Sequence, residues 1–116
     1  MKLSNKYDDR VIKDVLIYED DCFKDSRGEL WTTWVEGVIG IPFNHDKVST
    51  SKQHVIRGLH GDRKSHKLVS CIHGRIMFVV ADYRENSPTY LKTDTYFLSN
   101  HSKEFLLLPP GIANGF

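Results

Sequence analysis

Apolar residues in this chain come in short runs that alternate with polar ones. The runs are rich in Val, Ile, Leu, Phe, Tyr, Trp and Thr and are separated by Gly, Asn, Asp, Ser or Pro, and none sustains a helical period. The pattern predicts strands over Val11–Tyr18, Glu29–Glu36, Val38–Phe43, His54–Leu59, Lys67–His73, Arg75–Asp82, Leu91–Leu98 and Glu104–Leu108. Many short strands with turn signals at this spacing predict an all-β sandwich or barrel. His73-Gly74 is expected to form a tight hairpin from Ile72 to Arg75, Ser87-Pro88-Thr89 a second turn, and Pro109-Pro110-Gly111 a stop after Leu108. No repeat, low-complexity tract or linker divides the chain, so residues 1–116 read as a single domain.

Composition adds limits to this picture. With 116 residues, 40% hydrophobic and 27% charged, the chain has material for one modest core and resembles an ordinary globular protein. A formal charge of +1 gives no global field to recruit nucleic acid or an anionic membrane, so any anion site must be local. The polar N-terminal stretch from Met1 to Asp14 lacks the apolar centre of a signal peptide, and no later run is long enough for a membrane span. A cytoplasmic location is the corresponding expectation. Cys22 and Cys71 are too few and too far apart for a disulfide framework or a zinc knuckle.

The one local concentration of charge lies between Lys52 and His73. Lys52, His54, Arg57, His60, Arg63, Lys64, His66 and Lys67 share this stretch with a single acid, Asp62. Such a segment suits either an anionic ligand with an imidazole for proton transfer or a solvated loop joining two strands. Side chains alternate along a strand, so Lys67 shares a face with Val69 and Cys71, while strict alternation puts Arg57 and His60 on opposite faces. A site that uses both therefore requires irregular backbone at Gly58, where a bulge can re-aim one of them. His60 is a candidate base, and Lys67, at the edge of an apolar strand, a candidate to stabilise an oxyanion. Their bland readings are a satisfied polar residue and a snorkelling lysine.

Two other chemistries were open on the residues. A metal-dependent cupin barrel would use paired histidines, but the histidines here are scattered, and after Pro109-Pro110-Gly111 the position for a further ligand holds Asn114, whose amide is a poor donor to a metal. The stretch from Cys22 to Trp34 sets Asp25 and Arg27 beside Gly28, followed by Trp31 and Trp34. It offers an aromatic platform and an arginine for a nucleotide, or else one tryptophan for the core and one for the surface.

Taken in order, the blocks Phe23-x-Asp25-x-Arg27-Gly28, Ser49-x-Ser51, Arg57-Gly58-Leu59-His60, Lys67-Leu68-Val69-x-Cys71-x-x-Gly74, Asp82-x-Arg84-x-x-Ser87-Pro88-Thr89-Tyr90, Pro109-x-Gly111 and Gly115-Phe116 resemble the nucleotide-sugar 3,5-epimerases typified by dTDP-4-dehydrorhamnose 3,5-epimerase. The resemblance runs from Phe23 to the last residue. It implies a cupin-type jelly-roll barrel that uses neither metal nor cofactor, usually a homodimer whose N-terminal strands cross to the partner. Its substrate would be a nucleoside-diphosphate 4-keto-6-deoxy sugar epimerised at C3, C5 or both. The resemblance assigns His60 as the base, Lys67 as the enolate stabiliser and Arg57 to the diphosphate. Phe23, Arg27, Ser49, Asp82 and Asn114 complete the expected substrate-binding set, with Arg27 reaching the nucleotide across the dimer and Asp82 polarising or structural.

The chain also departs from the pattern. Many members carry Gln and Asn at the positions of His45 and Lys47, and His at that of Asn114. Phe43-Asn44-His45-Asp46-Lys47, His60-Gly61-Asp62 and Pro88-Thr89-Tyr90-Leu91-Lys92 look nearer to a branch that epimerises GDP-linked 4-keto heptoses. Members continue for roughly a third of their length past the Gly-Phe block, through a tyrosine taken as the general acid and an aspartate that pairs with the histidine. The expectation is thus a cupin-like domain incomplete at its C-terminus, either an epimerase or a binding module that holds the nucleotide sugar without turning it over.

Overall fold

The computed structural model describes residues 1–116 and contains strands but no helix. The strands are β1 (Lys2–Leu3), β2 (Leu16–Glu19), β3 (Phe23–Asp25), β4 (Gly28–Leu30), β5 (Lys67–Ser70), β6 (Arg75–Asp82), β7 (Thr93–Ser99), β8 (Glu104–Leu108) and β9 (Ile112–Gly115). One antiparallel sheet has the order β1-β2-β8-β5 and a second the order β7-β6-β9, while β3 and β4 form a separate hairpin.

The two larger sheets face each other across one core. Ile17, Val69, Leu106 and Leu108 from the first sheet meet Ile76, Phe78, Val80, Tyr96, Leu98 and Ile112 from the second. Burying each of the larger side chains is worth about 2 kcal/mol, so this inner cluster is the main source of stability. Strand β8 is buried along its whole length because its other face is covered too. Phe105 and Leu107, with Tyr18 and Leu68 beside them, are covered by Trp31, Ile39, Ile41 and Phe43.

That cover explains one departure from the sequence reading. Ile39, Ile41 and Phe43 do alternate, as a strand over Val38–Phe43 requires, but they lie on a finished sheet face and form no ladder. Likewise the segment predicted as Glu29–Glu36 is regular only through Leu30, and His54–Leu59 forms no regular strand. Of Val11–Tyr18 only the end is a strand, because the Asp94 carboxylate takes the backbone N–H groups of Val11 (2.9 Å) and Ile12 (2.7 Å) that a neighbouring strand would otherwise take. Lys67–His73 shortens to β5 and Leu91–Leu98 shifts to β7, whereas Arg75–Asp82 and Glu104–Leu108 are strands over the expected residues.

His73-Gly74 is not the hairpin that was expected. β5 pairs with β8 and β6 pairs with β7 and β9, so this turn carries the chain from one sheet to the other. Pro109-Pro110-Gly111 does the same between β8 and β9, with Gly111 at φ +88. These crossings give an all-β jelly roll in place of a meander. They also bring β9 and the start of β5, distant in sequence, to one end of the core.

Candidate functional site

Strand β9 has β6 on one side and residues 57–60 on the other. Arg57 and Phe116 exchange both backbone hydrogen bonds (2.6 and 2.8 Å), and so do His60 and Asn114 (2.9 and 2.8 Å). Between these two pairs, Gly58 and Leu59 stand opposite Gly115 alone. Two residues against one is the geometry of a bulge, and it resets the alternation. Directly opposed residues in antiparallel backbone share a face, so His60 goes with Asn114 and Arg57 with Phe116. Asn114 and Phe116 lie two apart and both turn inward, Asn114 being 8% exposed and Phe116 stacking on Phe78 at 6.0 Å. Arg57 and His60 are thereby brought to one side of the backbone despite their odd spacing.

The bulge depends on glycine in both segments. Gly58 has φ +137, and a Cβ there would stand 2.7 Å from the Cα of Gly115. A Cβ on Gly115 would in turn meet the carbonyl oxygen of Arg57 at 2.9 Å. No other residue type permits so close an approach.

Lys67 enters the same face from the first sheet. It shares the inward side of β5 with Val69, lies opposite Leu108, and its Nζ donates to Asn114 Oδ1 at 3.2 Å. Arg57 is oriented by its own loop, Nε donating to Ser51 Oγ and Nη2 to the Thr50 carbonyl, both at 2.9 Å. No carboxylate pairs with Arg57, Lys67 or His60. Asp62, the acid of the basic segment, is spent on the backbone N–H groups of Lys64 (2.6 Å) and Ser65 (3.2 Å), which hold its carboxyl below the usual range. The result is a basic, imidazole-bearing face at the rim of an apolar interior. It can bind an anion and move a proton next to developing negative charge.

The remaining expected residues are placed elsewhere. Arg27 lies in the β3–β4 turn, largely exposed, with Nη2 donating to Asp25 at 2.6 Å. Phe23 on β3 is exposed, and so is Ser49 in the loop before Arg57. Asp82 is fully buried on β6 and turned into its own loop. Its Oδ1 accepts from Arg84 Nε (2.9 Å) and from the Arg84 backbone N–H (3.0 Å). Its Oδ2 accepts from Arg84 Nη2 (2.9 Å), Ser87 Oγ (2.6 Å) and Thr89 Oγ1 (2.6 Å). The Arg84 guanidinium, then the two hydroxyls, holds this carboxyl well below the ordinary carboxylate range. With both oxygens so engaged, Asp82 organises residues 82–89 and has no capacity left for a ligand in this arrangement.

A family model for dTDP-4-dehydrorhamnose 3,5-epimerase matches residues 9–116. The chain belongs to the dTDP-4-dehydrorhamnose 3,5-epimerase family. A relative of that name from Escherichia coli is 39% identical over 114 residues, covering 90% of this chain and 62% of its own length. The solved dTDP-4-dehydrorhamnose 3,5-epimerase of Elizabethkingia anophelis superposes with a TM-score of 0.82 at 35% identity, over 99% of this chain and 66% of that one. A Legionella pneumophila 3,5-epimerase, solved with dTDP-4-keto-L-rhamnose, superposes with a TM-score of 0.84 at 32% identity, over 92% of this chain and 61% of that one. The chain thus spans about three fifths of the length of the curated relatives it matches. The fold is the cupin-type jelly roll of this family.

Sequence patterning did not reveal every part of the site. Ser51 and Thr50 hold Arg57 in place; Ser51 belongs to the Ser49-x-Ser51 block, which assigns it no role, and Thr50 acts through its backbone carbonyl, which residue type does not mark. The β3–β4 hairpin is pinned to the barrel by Lys103, whose Nζ lies 3.7 Å from the Trp31 ring centroid and 3.2 Å from Glu29 Oε1. Lys103 sits in a turn between strands, where a lysine carries no signal.

Proposed function

We propose that this chain carries the proton-abstracting face of a nucleotide-sugar 3,5-epimerase, acting on a nucleoside-diphosphate 4-keto-6-deoxy sugar. The observation that carries the reading is the Gly58 bulge, which gathers Arg57, His60 and Asn114 beside Lys67 with the cations unneutralised. A dTDP-linked sugar is the first substrate to test, because relatives at 39% and 34% identity are named for it. A GDP-linked 4-keto heptose is the alternative nucleotide sugar.

The chemistry follows from the ketone. A carbonyl at C4 acidifies the protons on C3 and C5, so His60 can remove one as its electron pair moves onto the ketone oxygen. Lys67 offsets the charge of the enolate, and Arg57 holds the diphosphate. Return of a proton to the opposite face inverts the centre. The assembly is a homodimer in this reading, supported by the exposed apolar residues Phe23, Leu30, Val48 and Ile56 along the hairpin and loop that lead to the site. Docking that hairpin on a second copy would bury these side chains and carry Arg27 to the nucleotide. A cytoplasmic location accords with the sugar-nucleotide chemistry.

Incubation in heavy water with the 4-keto nucleotide sugar tests the reading. Deuterium should enter C3, C5 or both, and His60→Ala should abolish entry while sparing binding. Binding without label in the wild-type chain would leave a non-catalytic nucleotide-sugar module, and exchange retained by His60→Ala would remove His60 as the base.

A further inference from the structure

We infer that a cavity between the N-terminal segment and β7 is a binding site for a small monovalent cation, held by the Tyr96 hydroxyl and the carboxylates of Asp94 and Asp9. The cavity measures about 160 Å³ and is lined by Tyr7, Asp9, Arg10, Asp94, Thr95 and Tyr96. None of Arg57, His60, Lys67 and Asn114 borders it. Tyr96 is the group that calls for a ligand. It is 1% exposed, and its Oη is the one buried side-chain polar atom without a hydrogen-bond partner. A buried hydroxyl left unpaired destabilises a fold, so each one asks for an explanation. The charged and phenolic groups that act on this hydroxyl are Asp94, Arg10, Tyr7 and Asp9, all of which line the cavity, so Oη faces it. Burial, then the Asp94 carboxylate, holds the phenol above its ordinary range, and it stays a neutral hydroxyl with lone pairs to offer.

The sign of the ligand follows from the neighbours of that hydroxyl. Asp94 and Tyr96 lie two apart on β7 and share its inward face. Each Asp94 oxygen accepts one backbone N–H, from Val11 and Ile12, which fixes the carboxylate and leaves each oxygen a further lone pair. Asp9 pairs with no cation of the chain. The single guanidinium of the cavity, Arg10, is turned onto carbonyl oxygens. Its Nε donates to Val15 (2.7 Å), Nη1 to Tyr7 (3.1 Å) and Nη2 to Lys13 (3.0 Å). Two carboxylates against one guanidinium leave one negative charge uncompensated, so an anion is repelled and a monovalent cation is matched. Calcium or magnesium would require about six oxygen ligands or more, and the chain has no cluster of three His, Cys, Asp or Glu placed to hold a metal ion. The size agrees with the charge. A volume of about 160 Å³ equals that of about five waters, room for an ammonium group or an alkali ion but not for a large organic cation. Either ion would tie Asp9 of the N-terminal segment to β7 and stabilise the fold.

Thermal melts of the full chain test the site. Ionic strength and chloride are held constant while N-methylglucamine, too large for the cavity, is replaced stepwise by ammonium, methylammonium, potassium or sodium. At about a tenfold excess over its dissociation constant, a cation that binds should raise the Tm by about 5 °C, along the logarithmic course of one-site linkage. A gain confined to ammonium and methylammonium assigns an ammonium group, one confined to the alkali ions assigns a metal ion, and one shared by both assigns a site that reads charge and size alone; each supports the inference. Tyr96→Phe removes one oxygen and keeps the ring, so it should lose most of the gain. In N-methylglucamine the same variant should melt no lower than wild type, because the hydroxyl it loses has no partner within the chain. Asp9→Asn changes an exposed side chain outside every ion pair and should lose at least half of the gain. Equal melting in all these salts would mean that the cavity takes up water only and would overturn the inference. A gain undiminished in either variant overturns it too, as does a Tyr96→Phe chain that is destabilised in N-methylglucamine or a larger gain with magnesium than with any monovalent ion.

Discussion

Arg84 lies just beyond the end of β6 and Arg57 in the backbone pair that it forms with Phe116, and their charges have opposite fates. Arg84 closes on Asp82 through two side-chain hydrogen bonds and one from its backbone and reaches Asp14 at 2.8 Å, so its charge is matched within a knot around the buried Asp82 carboxylate that Ser87 and Thr89 complete. Arg57 touches only a hydroxyl and a carbonyl, and Lys67 only a carboxamide. The two regions belong to equally distinctive blocks of sequence, yet one spends its charge on the fold and the other keeps it. Sequence motifs show that charged residues are placed with care; only the partners show whether the charge remains for a ligand.

Removing a partner from the closed knot should have the largest effect. Asp82→Ala leaves the Arg84 guanidinium only its contact with the exposed Asp14 and strands two hydroxyls in a loop built around the carboxylate, at a cost of about 3 kcal/mol, measurable by urea denaturation. Acidification is the milder version of the same experiment. The folded Asp82 carboxyl titrates below its unfolded value, so its contribution is fully present above about pH 4 and is lost as the pH falls towards the depressed value. Asp82→Asn should therefore flatten the acid limb of the stability curve. An unchanged acid limb would show that the knot is not the element that acid breaks.

The open region should break at its backbone. Gly58→Ala forces a Cβ to within 2.7 Å of the Gly115 Cα at φ +137, so residues 57–60 must separate from β9. The cost should be about 2 kcal/mol in denaturation. Deuterium entry into the 4-keto sugar should fall further than that loss of folded protein explains, because His60 parts from Asn114 and Lys67. A variant that loses stability while keeping full exchange would mean that the bulge serves packing alone.

How much of this could be read from the chain follows from where the information lies. β6 and β8 were legible because long apolar runs have few alternatives once a two-sheet core forms. The requirement for irregular backbone at Gly58 was legible as well, since the odd spacing of Arg57 and His60 conflicts with a flat strand. Strand β9 was not: Ile112-Ala113-Asn114-Gly115 is short, ends in poor strand formers, and becomes a strand because β6 and residues 57–60 flank it. The segment from Trp31 to Phe43 misled in the other direction, for alternation reports a buried face and not a ladder. Asp82 and Asn114 were both expected at the ligand. The geometry that sets them apart, one carboxylate with both oxygens engaged and one amide with two free donors, depends on partners 2 to 47 residues away in sequence.

The smallest effect on folding should come from the residue whose charge is freest. Arg57→Ala removes two hydrogen bonds from an exposed loop and no ion pair, so its stability should stay within about 0.5 kcal/mol of wild type. Affinity for a nucleoside diphosphate sugar should nevertheless drop by about tenfold, the worth of a charge-assisted hydrogen bond. The wild-type affinity should also weaken with added salt more steeply than that of the variant, since the lost contact is the ionic one. Thermal melts with and without the ligand measure both quantities on one sample. Arg84→Ala supplies the inverse, a large loss of stability from a cation whose charge is already neutralised within the fold. If instead Arg57→Ala unfolds the chain and leaves affinity untouched, Arg57 is a structural arginine of the same kind as Arg84, and the rim of the barrel has to find its diphosphate contact elsewhere.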